Sequence, residues 1–179
     1  MEAEIVRDVS LAASGLLTST VGGPGVFPPQ PKGVYSLTQI PKNWVADLGN
    51  DRYRRGMYTF FWRSAPHPGL TVFDAPDATA ACTKRNRSNT PLQALTLLND
   101  EASLEAARAL ADRVTRRPGD DAARLAHAFR LVVSRSPSSR ESIILARILK
   151  DQRQALTEQE AWVQLSRVLL NLDEFITRE

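Results

Sequence analysis

The uneven placement of proline and glycine constrains this chain more than any other feature. Nine of its eleven prolines fall in residues 24–91, and seven of its nine glycines in residues 22–69. Proline removes a backbone donor and fixes φ, while glycine raises the entropy that ordering must overcome. The front of the chain therefore cannot be built from long helices or central strands. After Pro91 only Pro118, Gly119 and Pro137 interrupt the sequence. Two halves of different character meet near residue 89.

The second half carries repeated helix-start signals. Thr90 is an N-cap, Pro91 suits the first helical position, and Gln93 closes a capping box onto Thr90. Leu92, Leu95 and either Leu97 or Leu98 then predict one apolar face. A second helix follows Asp100, with Leu104, Ala107, Leu110, Ala111 and Val114 at three- and four-residue spacing, and ends at "RRPGD". A third starts near Asp120 and turns Leu125, Ala128, Phe129, Val132 and Val133 inward. Ser138 with Glu141, and Thr157 with Glu160, open two more. Their stripes are Ile144, Leu145, Ile148 and Leu149, then Trp162, Leu165, Val168, Leu169 and Leu172. Five amphipathic helices in about 85 residues must pack as a bundle, since none hides its stripe alone.

The first half opens with a helix over residues 2–17, apolar at Ile5, Val9, Ala12, Ala13, Leu16 and Leu17. "GGPGVFPPQPKG" can only be irregular, and Val26, Phe27 and Trp44 are the side chains able to anchor it. "RRGMYTFFWRS" is rich in aromatic residues, which suits a strand, and "GLTVFDAP" is its candidate partner. The expected fold is mainly α, in one domain of 179 residues. Residues 90–179 form a bundle of about five helices. Residues 1–89 supply an N-terminal helix and a Pro/Gly-rich irregular segment carrying a short β-hairpin.

Several chemistries are excluded or left without support. A single cysteine, Cys82, rules out an internal disulfide, a Cys-x-x-Cys pair, a Cys-based zinc site and c-type haem attachment. His67 and His127 stand 60 positions apart, so neither a metal nor a cofactor is expected, although calcium on carboxylates would leave no readable motif. "SRSPSSRES" has hydroxyls and cations but no phosphate loop or nucleophile elbow, and its serines read as caps. "MEAEIVRDVS" lacks the regions of a signal peptide, and no apolar run reaches the roughly 18 residues a membrane span needs. As written, the chain is expected in the cytoplasm and not inserted in a membrane. A net charge of +3 permits an anionic partner without requiring one, and nucleic-acid binders concentrate more charge on one face.

Four groups of residues can carry function. Cys82 precedes the cations Lys84, Arg85 and Arg87, which would favour a thiolate; the blander reading, preferred here, is a small packed residue. Asp74 can bind a metal, act as a base or pair with Arg54, Arg55 or Arg63; an ion pair or Asx-turn joining irregular segments is preferred. Arg7 and Asp8 invite the same structural reading. Residues 52–62 interleave arginines with aromatics, so Arg54, Arg55, Arg63, Tyr58 and Trp62 can stack on sugars and grip sulfate or phosphate. Strand alternation would send about half of that stretch into the core. At the far end, Asp173 and Glu174 face solvent or pair with Arg178.

The motifs "RDVSLAASGLL", "VGGPGVFPPQPKGVY", "DRYRRGMYTFFWRSAPHP", "FDAP", "NTPLQALTLLND" and "LLNLDEF" occur in this order. Together they resemble the C-terminal half of a planctomycete-type domain, number 1553 in the domain-of-unknown-function series. The resemblance implies a bacterial source and an exported parent protein, of the periplasm or cell envelope. It also implies an upstream cytochrome-c-like domain, to which any haem would belong, so the chain reads as a fragment or shortened frame. The family pattern places an Arg-Glu pair shortly before the cysteine, where this chain has Thr79, Ala80 and Ala81.

The expected function is a non-enzymatic structural or binding module of a bacterial envelope protein. Its expected partners are anionic polysaccharide or other domains of the parent. The alternative is a hydrolase of a carbohydrate, ester or lactone, using Asp74 and Asp8 with Arg55 steadying charge. A third reading, nucleic-acid binding, ranks below both.

Overall fold

The computed structural model of the protein describes residues 1–36, 38 and 43–177. Helices run over Ala3–Ser14 (α1), Pro68–Val72 (α2), Pro91–Asn99 (α3), Glu101–Thr115 (α4), Asp121–Val133 (α5), Ser139–Gln152 (α6), Glu158–Leu169 (α7) and Asp173–Ile176 (α8). Two 3-10 turns, Gly49–Tyr53 and Gly56–Tyr58, punctuate the front. The expected bundle is α3–α7, and Arg178 lies outside the described residues.

The helices start where their caps dictate. Thr90, Ser138 and Thr157 each make a complete capping box, with Gln93, Glu141 and Glu160 respectively. Asp100 and Asp120 accept from the Ala102 and Ala123 N–H groups to open α4 and α5. Several helix ends are closed by arginines from elsewhere. Arg113 Nη1 donates to the Ala12 and Ala13 carbonyls at the end of α1, at 3.0 and 2.9 Å, and Arg167 Nε donates to Leu98 O at 3.1 Å. Each guanidinium satisfies carbonyls that lack an intrahelical partner and faces the negative end of a helix dipole.

The core gathers on α4. Ala106, Ala107, Leu110, Ala111 and Val114 are sealed, and alanine at three of these positions lets α1 and α7 approach closely. α7 supplies Ala161, Trp162, Leu165 and Leu169, while α8 closes the end with Phe175 and Ile176. Leu125, Ala128, Phe129 and Val132 of α5, and Leu145 and Leu149 of α6, fill the remainder.

Three expectations are corrected. The β-hairpin is absent: among the described residues the front has only two isolated parallel bridges, Thr18 with Arg54 and Val26 with Thr59. Pro68 takes the first helical position and His67 Nδ1 accepts from Gly69 N at 3.1 Å, so the expected partner begins as α2 instead of a strand. The stripe of α1 is rotated. Its inward positions are Ala3, Val6, Asp8, Leu11 and Ala13, whereas Ile5 and Ala12 are exposed. The helix ends at Ser14 because Gly15 takes φ 81°, a left-handed cap. In α3, Leu97 is buried but Leu92 and Leu95 are 59% and 55% exposed. Gln93, four residues before Leu97, takes the inward place and donates from Nε2 to Val72 O at 3.0 Å.

Candidate functional site

The functional candidates of the sequence lie where the irregular front meets α1, and each is held by a local structural demand. Gly56 sets the approach. A Cβ there would stand 2.5 Å from Glu4 O and 2.7 Å from Glu4 Cα, so only glycine lets the backbones touch. That contact buries the Gly56 N–H, and Asp8 answers it: Oδ1 accepts from Gly56 N at 2.6 Å, and Oδ2 accepts from Arg55 Nε at 2.7 Å. Asp8 is 8% exposed, so both its oxygens are engaged in a nearly closed site. The Arg55 guanidinium is pushed up, first by the hydrogen bond it donates to Asp8 and then by the Asp8 charge.

Next to this pair, arginines serve a backbone that has no regular partners. Arg54 is 2% exposed. Its Nη1 donates to Pro24 O at 3.2 Å, its Nη2 donates to Gly22 O, and its guanidinium carbon lies 4.1 Å from the centroid of the Tyr58 ring. The Tyr58 hydroxyl accepts from Gly22 N at 2.8 Å. Arg7 reaches from α1 to Arg52 O at 2.7 Å and Arg54 O at 3.3 Å. Arg52 in turn bonds Glu105, and Glu101 at 3.0 Å, on α4. The aromatics form a second tier. Phe27 stacks on Phe60 at 4.8 Å and meets Trp44 edge-on at 5.0 Å, and Phe60 meets Trp62 at 5.1 Å. Val26, Phe27 and Trp44 are thus the anchors of the irregular segment, with Trp44 Nε1 donating to Pro28 O at 2.7 Å.

Asp74 meets no arginine among the described residues. It sits at φ 59°, a conformation aspartate tolerates, and its Oδ2 accepts from Ser88 N at 2.7 Å and Ser88 Oγ at 2.6 Å. Ser88 Oγ also accepts from Gln93 Nε2 at 3.1 Å. The aspartate closes the base of the loop leading into α3, which corrects the expected ion pair and keeps its joining role.

Cys82 is exposed, its thiol donating to Lys84 O at 3.3 Å, so the packed reading is corrected as well. Residues 77–88 carry no regular structure and too few apolar side chains to be drawn inward. The loop is fastened by charge instead. Arg85 Nη1 bonds Glu4 at 2.7 Å and Glu2 at 3.3 Å, at the positive end of α1 where acids are favoured. Arg63 is exposed, and Tyr58 and Trp62 are half-buried.

Sequence reasoning missed a pocket beside α1. A cavity of about 80 Å³ lies between α1, α2, α3, the start of α4 and residues 28 and 59. Its walls are apolar except for Arg7, Ser10, Thr59, His67, Thr96, Asp100 and Ser103. Burial lowers the His67 imidazole to about 4, against a weaker opposing pull from its bond to Pro29 O at 3.0 Å. Because Nδ1 accepts from Gly69, Nε2 carries the proton. Burial likewise brings Arg7 down to about 10 and pushes the Asp100 carboxyl up. Thr59 Oγ1 is buried without a hydrogen-bond partner. The signal was scattered over residues 7, 59, 67 and 100, and no local spacing links them.

The sequence candidates do not form one constellation. Asp8 and Arg55 come together, as do Arg54 and Tyr58, while Asp74 and Cys82 belong to the loop on the other side of α2. Among the described residues no group of three His, Cys, Asp or Glu side chains could hold a metal ion, and no helix is long and apolar enough to cross a membrane. No curated protein and no solved structure matches the chain. The matched part of a family model covers α1–α5 and most of α6, and stops before α7 and the closing "LLNLDEF". On that match, over residues 1–149, the chain belongs to the PSD1 family of proteins of unknown function, DUF1553.

Proposed function

We propose that the chain is a non-enzymatic structural and binding module of a bacterial envelope protein, which presents basic surface to an anionic polysaccharide. The observation that carries this reading is the employment of its acids. Both Asp8 oxygens are committed to Arg55 and the Gly56 N–H, and Asp74 is committed to Ser88. A general acid–base pair needs two carboxyl groups converging on one open site, each free to exchange a proton. The binding residues are fewer than the sequence offered, because Arg54 is buried and Arg55 is paired. The other domains of the parent protein remain partners of the same module.

A hydrolase reading draws on the cavity, where His67, Arg7 and Asp100 meet. Against it, both His67 ring nitrogens and one Asp100 oxygen are already engaged. The deciding experiment is a polysaccharide array, with sulfated, carboxylated and neutral members, run beside a broad hydrolase screen on the purified protein. Retention on the acidic glycans without turnover is the expected result. Turnover of a carbohydrate, ester or lactone that disappears in Asp8→Asn or Asp74→Asn would replace this reading with the hydrolase.

A further inference from the structure

The cations of the bundle are not spread evenly. α4 ends in Arg113, Arg116 and Arg117, the last two just beyond Thr115, and α5 carries Arg124, His127 and Arg130 at successive three-residue spacing. That spacing puts the three on one helix face. The two sets are joined, since Arg124 Nε donates to Arg117 O at 3.0 Å. His127 feels the crowd: burial first, then Arg117, Arg113 and Arg130, all push its imidazole down.

The neighbouring acids are mostly engaged elsewhere, although Asp121 also feels the charge of Arg124. Asp112 bonds Gln159 and lies 3.8 Å from Arg116, Asp120 caps α5, and Asp121 pairs with Arg153 at 2.5 Å. Among the described residues, Arg117, Arg124 and Arg130 have no carboxylate within ion-pair distance. Arg117 and Arg130 are exposed. Arg113, by contrast, is occupied in closing α1.

We infer that the face formed by Arg117, Arg124, His127 and Arg130 is the docking site for sulfate or carboxylate groups of an acidic polysaccharide. The inference rests on the binding reading above and gives it a location, on the bundle and not in residues 52–63. Planar guanidinium forks match sulfate and carboxylate oxygens in pairs. Three features favour a polysaccharide over other polyanions. The face has no aromatic side chain on which bases would stack. Asp112, Asp120 and Asp121 flank it, which a duplex with a charge every 1.7 Å or so would meet as repulsion. No exposed large apolar side chain lies between residues 96 and 142 to anchor it in a lipid surface.

The test is retention of the full chain on dextran sulfate and alginate resins, with a titration against the soluble polymers. The double variant R117S/R130S should bind about tenfold more weakly and elute at lower salt, its thermal midpoint unchanged. The control R140S/K150S, at two exposed cations of α6, should bind as wild type. Equal binding by wild type and R117S/R130S, or equal loss in the control, overturns the location and leaves the binding reading standing. No binding of wild type to either polymer overturns both. Tighter binding of wild type to duplex DNA or to anionic phospholipid vesicles overturns the choice of polysaccharide.

Discussion

The two halves solve one problem by different means. In the bundle, helices satisfy their own backbones, and stability comes from apolar contact: Leu110, Trp162, Leu165 and Leu169 are sealed around α4 and α7. In the front, the chain makes few regular hydrogen bonds, and long side chains do that work. Arg7 and Arg54 between them hold the carbonyls of residues 22, 24, 52 and 54. A buried carbonyl without a partner costs free energy comparable to a lost hydrogen bond. An irregular segment can therefore be ordered only if something reaches it. The difference explains why acids and arginines that resemble a catalytic set are found there with both hands full.

If the bundle is the base on which the front is assembled, damage to the bundle should be global and damage to the front local. Trp162→Ala makes the largest test. Removing a sealed indole should cost about 4 kcal/mol and lower the urea midpoint seen by every probe. A loss confined to α7, with the front intact, would break the comparison. The acid limb comes next. His67 is neutral when folded, with a pKa near 4 against an ordinary 6.5, so the unfolded chain takes up its proton first as pH falls. Stability from this group is full above about pH 6.5 and is lost toward pH 4, by roughly 3 kcal/mol at the limit. Calorimetry of wild type and His67→Asn between pH 7 and 4.5 isolates it, because His127, lowered by burial and its arginines, is common to both. Parallel pH profiles would remove His67 as a source of the acid limb.

Arg54→Met should cost about 2 kcal/mol, since it keeps the packing stem but leaves the Gly22 and Pro24 carbonyls unserved. Hydrogen exchange and limited proteolysis should report the damage in residues 18–30 while α4 and α7 stay protected. Uniform loss of protection would show that the halves unfold as one. Asp74→Ala is the mildest, at about 1 kcal/mol, because Ser88 is exposed and water can replace the carboxylate. An unchanged melting midpoint would deny it even the joining role.

Much of the bundle was legible because its signals are local. A capping box spans four residues, and Thr90, Ser138 and Thr157 each opened a helix where it lay. The helical face was less secure. Ile5 and Leu92 fit apolar stripes equally well, and only the approach of Gly56 to α1 and of Gln93 to Val72 decided which side faced inward. "RRGMYTFFWRS" has strand composition, yet it became a turn and an aromatic stack, because no neighbour offered a ladder of donors. Asp74 and Cys82 were misplaced for a related reason: their partners, Ser88 and Lys84, are set by the path of a loop.

The sequence by itself determined α3–α7 and their start points, because these follow from backbone chemistry over a few neighbouring residues. Only the tertiary structure decided which acids are engaged, which arginines stay free, and that His67, Arg7, Asp100 and Thr59 line one cavity. Those outcomes depend on groups far apart in the chain competing for the same carbonyls and the same space, and no local spacing encodes that competition.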